Sequence, residues 1–225
     1  MLIIDNLSVG YRKGINVLNG LSLKLKSNKI HGLVGLNGAG KTTLLNTIFG
    51  ILKQTTGTII FNDEKLTKKQ ICYLENENFF YSNITGAEYL SLFVNKDFDL
   101  NAWNTIFELP LNSLIENYST GMKKKLALLG LLKIEKPLII LDEPFNGLDI
   151  EACKVLQLII LRLREKNKLI IVTSHILESL TTICDEIHYL ENGVIKFSKS
   201  FENFHHLETE IFHDFNKTEL INKLL

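Results

Sequence analysis

The chain has 225 residues, 45% of them hydrophobic, enough to bury the core of one sizeable domain. Lys plus Arg and Asp plus Glu number 25 each, so no net field draws nucleic acid or an anionic membrane to the surface, which argues against a dedicated nucleic-acid binder. The three cysteines, Cys72, Cys153 and Cys184, are too scattered for a disulfide framework or a metal site and read as reduced thiols.

In chain order, the segment through about Lys29 alternates short apolar stretches with turn residues at Val9-Gly10, Lys13-Gly14, Asn19-Gly20 and Ser27-Asn28, which predicts antiparallel strands. Met1 to Asp5 carries no basic n-region and reads as no signal peptide. Three later aliphatic runs, Ile30 to Val34, Leu138 to Leu141 and Leu169 to Val172, are apolar at every position, the pattern of parallel strands buried on both faces. Between them lie helical patterns: Thr85-Gly86-Ala87-Glu88 is a capping box, and Asp149 can cap a helix carrying Val155, Leu156, Ile159 and Ile160. The alternation predicts an α/β domain over about 1–200, with a helical lobe inserted over about 75–132. Asn192-Gly193 between two apolar runs predicts a hairpin, and the remainder, 201–225, reads as a short tail with a final helix after Thr218. No apolar run is long enough to cross a membrane.

Gly35-Leu36-Asn37-Gly38-Ala39-Gly40-Lys41-Thr42-Thr43 matches G-x-x-x-x-G-K-[ST] between a predicted strand and a predicted helix, the context such a loop needs. Its glycines let successive N–H groups turn inward, and the helix N-terminus adds positive potential where phosphates sit. Lys41 is placed to reach the β- and γ-phosphates of ATP, and the Thr42 hydroxyl to ligate Mg²⁺. The run Leu138 to Leu141 ends in Asp142-Glu143, two carboxylates at the sheet edge where nucleotides bind: Asp142 suits Mg²⁺, Glu143 the attacking water. His205, His206 and His213 lack the partners of a metal site, and Lys123-Lys124-Lys125 reads as a solvated helix face.

Tyr118-Ser119-Thr120-Gly121-Met122-Lys123, Phe145-Asn146-Gly147-Leu148-Asp149 and Thr173-Ser174-His175 stand in the order of a signature sequence, a D-loop and a switch histidine. With the two phosphate motifs, the chain from about Leu2 to Ser198 resembles the nucleotide-binding domain of an ABC transporter. The resemblance implies a P-loop NTPase core with a parallel sheet, an N-terminal antiparallel β subdomain and an inserted helical subdomain. It implies nucleotide contacts from Tyr11, which stacks on adenine, from Asn37, Gly38, Ala39, Gly40, Lys41, Thr42 and Thr43, and from Ser119 and Gly121 of a second subunit. His175 is implied to hold the γ-phosphate and position water beside the catalytic Glu143 and Lys41. The family's Q-loop glutamine falls on Asn76 in Tyr73-Leu74-Glu75-Asn76, a departure that shortens a Mg²⁺-directed amide. The implied partners are a second ATPase subunit, in a homodimer or heterodimer, and a transmembrane permease that holds the chain at the cytoplasmic face of the membrane. The Y-S-x-G-M signature and compact length point to export, and two alternatives stand beside this: a regulatory nucleotide-binding module with little turnover, or a soluble ABC ATPase not linked to transport.

Overall fold

A computed structural model describes residues 1–11 and 14–211. The helix expected after Thr218 lies outside the described residues. The chain opens with β1 (Leu2–Val9) and β2 (Leu18–Leu25), followed by β3 (Ile30–Val34) and α1 (Lys41–Phe49). Next come β4 (Thr56–Phe61), β5 (Glu64–Lys65) and β6 (Ile71–Leu74). The helices α2 (Gly86–Ser91), α3 (Leu100–Phe107) and α4 (Thr120–Ile134) stand between β6 and β7 (Leu138–Leu141). After these, α5 (Ile150–Glu165), β8 (Leu169–Thr173), α6 (Leu177–Thr181), β9 (Glu186–Glu191), β10 (Val194–Ser200) and the short α7 (Leu207–Ile211) follow among the described residues.

Two sheets result. The first is antiparallel, in the order β2-β1-β4-β5; the second runs β10-β9-β3-β8-β7-β6 and is parallel throughout except for the β9–β10 hairpin. The aliphatic runs explain why the parallel sheet is buried on both faces. Side chains alternate along a strand, so Leu138, Ile140, Leu169 and Ile171 join one core with α1 and the antiparallel sheet, while Ile139, Leu141, Ile170 and Val172 join another with α4 and α5. The parallel strands carry β3, β7 and β8 to a common edge, where the chain turns into the phosphate loop, the carboxylate pair and His175.

One turn expected from sequence is a strand irregularity instead. Asn19-Gly20 lies inside β2, where Gly20 has φ +64° and the pairing with β1 slips between Leu7/Leu21 and Val9/Leu18. The positive φ makes a bulge rather than a reversal because β1 supplies partners on both sides of it. At Asn192-Gly193 the expected hairpin forms, with φ of +49° and +77°, the two left-handed residues of a type I′ turn. Among the described residues no helix is long and apolar enough to cross a membrane.

Candidate nucleotide site

The phosphate loop follows β3 directly, and α1 begins at Lys41 with Gly40 as its N-cap at φ +108°. A side chain on Gly40 would be strained at that φ and would press on Leu18 Cδ2 at 2.8 Å, so glycine is what lets the loop close onto the helix N-terminus. Lys41 Nζ donates to the carbonyl of Gly35 at 2.6 Å and reaches that of Leu36 at 3.5 Å, bridging the base of its own loop. Burial pulls its ammonium below the ordinary lysine value, against the attraction of Glu143 and Asp142. Tyr11 is exposed, with its hydroxyl 3.2 Å from Thr43 Oγ1, so it stands beside the loop.

Opposite the loop, Asp142 directly follows β7. Its Oδ1 accepts from the Thr173 hydroxyl at 2.6 Å, and Oδ2 lies 3.5 Å from the Tyr73 hydroxyl. Burial raises the carboxyl above the usual carboxylate range; the Thr173 hydrogen bond opposes it and Glu143 adds to it. Glu143 has φ +48°, a left-handed backbone uncommon outside glycine. Its N–H donates to Thr173 Oγ1 at 2.8 Å, and its Oε2 accepts from His175 N at 3.2 Å and faces His175 Nδ1 at 2.8 Å. The carboxylate can only accept, so Nδ1 carries the hydrogen.

Asn37, Lys41, Thr42, Asn76, Asp142 and Glu143 share one open depression of about 490 Å³. Asn76 enters it from the end of β6, with Oδ1 3.4 Å from Asn146 Nδ2. The Thr42 hydroxyl, Asp142 carboxylate and Asn76 amide supply oxygen donors only, the set that suits a small hard dication. Ser119 and Gly121 are outside the depression. Ser119 caps α4, its Oγ accepting from Met122 N at 3.2 Å, and is exposed; Gly121 lies beside Gly147, whose carbonyl would be 2.9 Å from a Cβ at that position.

Two contributors escape a reading of the sequence. Thr173 was legible only as a neighbour of His175, yet it holds both carboxylate residues. Lys124, read as part of a solvated face, is instead buried, with Nζ donating to the carbonyls of Asn76 at 3.0 Å and Glu143 at 3.3 Å. The apolar run from Leu126 to Leu132 was the available signal, because a helix buried on nearly all sides leaves few of its neighbours solvated.

A glycine-rich loop at a helix N-terminus, facing two carboxylates across the carboxyl edge of a parallel sheet, defines a phosphate-binding α/β domain of the P-loop type. A family model described as "ABC transporter" matches residues 18–146, more than half of the chain. The chain belongs to that family, as an ABC transporter ATP-binding domain. It is 34% identical over 191 residues to the ABC transporter ATP-binding protein YtrB of Bacillus subtilis, a match covering 80% of this chain and 65% of YtrB, just under two thirds of that relative. It is 29% identical over 223 residues to the lantibiotic transport ATP-binding protein SrtF of Streptococcus pyogenes, covering 95% and 96%. A solved ATP-binding subunit of an ABC transporter superposes with a TM-score of 0.86 at 28% identity, covering 94% of each chain.

Proposed function

We propose that this chain hydrolyses MgATP as the motor subunit of an ABC exporter, closing on ATP as a head-to-tail dimer and driving a separate membrane permease from the cytoplasmic face. The observation that carries the reading is the convergence of Lys41, Thr42, Asp142 and Glu143 on one depression, with His175 fixed against Glu143. In this reading the loop amides and Lys41 neutralise the phosphates, and Thr42 and Asp142, with Asn76 beside them, would hold Mg²⁺, which would supply charge neutralisation at the γ-phosphate. Glu143 orients and deprotonates the attacking water, and His175 holds Glu143 in place and meets the γ-phosphate. Phosphoryl transfer asks little of a protein beyond positioning and charge neutralisation.

The dimer is supported by what the site lacks within one chain. Ser119 and Gly121 offer a helix N-terminus to an anion but lie outside their own depression, so the γ-phosphate they cap belongs to a second subunit. Exposed apolar side chains accompany these loops, Leu36 in the phosphate loop and Ile150 at the start of α5. A different set, Phe79, Tyr81, Leu92 and Val94, is exposed on the segment after Asn76 and supports a permease contact there. Export follows the likeness to SrtF, whose name assigns it to lantibiotic transport.

Hydrolysis of MgATP by the purified chain tests the assignment. Glu143→Gln is expected to leave ATP binding nearly intact and to lower turnover about a hundredfold or more, the loss seen when a general base is removed. Turnover within threefold of wild type would remove Glu143 from the chemistry.

A further inference from the structure

Lys124 is a charged group in a place that costs a protein stability. Its residue is 4% exposed in α4, five positions after the Ser119 cap, and among the described residues no carboxylate oxygen lies within salt-bridge distance of its ammonium. A buried ammonium without a paired carboxylate is uncommon, because desolvation is only partly offset by neutral acceptors. Its two partners are backbone carbonyls belonging to two separate loops, the one after β6 at Asn76 and the one after β7 at Glu143.

The second carbonyl belongs to the one residue of the carboxylate pair whose backbone is left-handed. Each polar group of Glu143 is held by a different element: its N–H by Thr173 at the end of β8, its carbonyl by Lys124 and by Asn146 N at 3.2 Å, and its carboxylate by His175. Such a conformation persists only where the surroundings over-determine it. Lys124 is the sole side chain among these that reaches the carbonyl, and it comes from the helix that begins at the signature.

We infer that Lys124 is a positioning residue for Glu143, its buried ammonium clamping the carbonyls of Asn76 and Glu143 so that the left-handed backbone aims the Glu143 carboxylate across the phosphate depression. The inference rests on the reading of Glu143 as the residue that activates water. It also joins three motifs through one side chain: the helix whose cap is proposed to serve the opposite subunit, the loop proposed to face the permease, and the carboxylate proposed to activate water.

The test is steady-state MgATP hydrolysis by the full chain as wild type, Lys124→Met, Glu143→Gln and the double variant, with the melting temperature and ATP affinity of each. Methionine keeps the length and removes the charge; the Glu143 carbonyl keeps Asn146 N as a donor, while the Asn76 carbonyl loses the ammonium. The expected result is a kcat lowered about tenfold to a hundredfold, as for a reacting group displaced by a fraction of an ångström to an ångström, with KM little changed and the protein still folded at the assay temperature. In the Glu143→Gln background the same substitution should change the residual rate by less than about threefold, because the group it positions is already gone. If Glu143→Gln alone retains turnover within threefold of wild type, the reading of Glu143 fails and this inference with it. If Glu143→Gln is inactive but Lys124→Met is within twofold of wild type, or costs the same factor in both backgrounds, Lys124 does not act through Glu143. A kcat loss that only tracks a fall in melting temperature also overturns it. Should Lys124→Met fail to fold, Lys124→Arg and Lys124→Gln decide: arginine, which keeps the charge, is expected to retain the higher kcat, and the reverse order overturns the inference.

Discussion

Among single residues, the buried histidine pair shows how a hydrogen-bond chain fixes protonation. His31 Nε2 lies 2.9 Å from the carbonyl of Lys26, which can only accept, so that nitrogen carries a hydrogen. Neutral His31 then accepts at Nδ1 from His188 Nε2 at 3.1 Å, and His188 Nδ1 accepts from the Ser198 hydroxyl at 2.7 Å. Glu186 adds a carboxylate 3.7 Å from His31 Nδ1, which gives the three groups the makings of a metal site. Within the run of donors and acceptors from Lys26 to Ser198, the 3.1 Å approach of the two ring nitrogens places one shared hydrogen between them. Burial lowers both histidines, His188 to about 4, with His31 adding to its shift and Glu186 opposing it. Because the folded value is depressed, the unfolded chain binds more protons below its own pKa of about 6.5, so this stability is complete above that pH and is lost as pH falls toward about 4. From His188 the loss by pH 5 is about 2 kcal/mol. Thermal melts of wild type and His188→Gln at pH 7.5 and 5 should show the smaller acid-induced drop in the variant; equal drops would show that His188 is not buried as a neutral group.

Among the elements, the β9–β10 hairpin supports the phosphate loop. Gly193 N donates to the carbonyl of Ala39 at 3.2 Å, inside the loop, while its own carbonyl accepts from Asn19 N at 3.1 Å in β2. A Cβ on Gly193 would fall 2.0 Å from the carbonyl of Val17 at φ +77°. Gly193→Ala should therefore lower stability by about 2 kcal/mol or more, a melting-temperature loss of roughly 4–8 °C, and weaken ATP binding through Ala39. Asn192→Gly, which keeps the turn type, should leave ATP binding unchanged. Equal effects of the two substitutions on ATP affinity would sever the hairpin from the loop. The hairpin, the three aliphatic strands and the phosphate loop were legible because each is encoded within about ten consecutive residues. Strand β6 was not, since Ile71-Cys72-Tyr73-Leu74 is too short to show a period and is fixed by its pairing with β7. The Asn19-Gly20 bulge and the burial of Lys124 were hidden for the same reason: the partners that decide them lie far away in sequence.

In the whole molecule, the candidate site divides into groups that one chain assembles and groups that it keeps apart. Lys41, Thr42, Asn76, Asp142 and Glu143 meet on one depression, with His175 against Glu143 and Tyr11 against Thr43, whereas Ser119 and Gly121 face elsewhere. The signature was legible as a motif, and the resemblance already assigned it to a second subunit's nucleotide; its seat outside the depression of its own chain depends on how α2 to α4 sit between β6 and β7. The structure also guides which lesion can probe it. Any side chain at Gly121 meets the carbonyl of Gly147 at 2.9 Å, disturbing the D-loop of its own subunit, whereas Ser119 is exposed and aspartate is as good an N-cap as serine. In the proposed shared site, Ser119→Asp thus keeps α4 capped while placing a carboxylate toward the opposite subunit's γ-phosphate, a repulsion expected only in the closed dimer.

The central claim, that two chains share each ATP site, is tested most directly by mixing two inactive variants. Lys41→Ala disables the phosphate side and Ser119→Asp the signature side, so a mixed dimer holds one site with both lesions and one with neither. The account predicts that each variant alone has little MgATP hydrolysis, that Ser119→Asp binds ATP normally as a monomer, and that the mixture recovers activity in proportion to the mixed dimers formed. A mixture that stays inactive while mixed dimers demonstrably form, or wild-type hydrolysis by a chain that remains monomeric throughout, would contradict it.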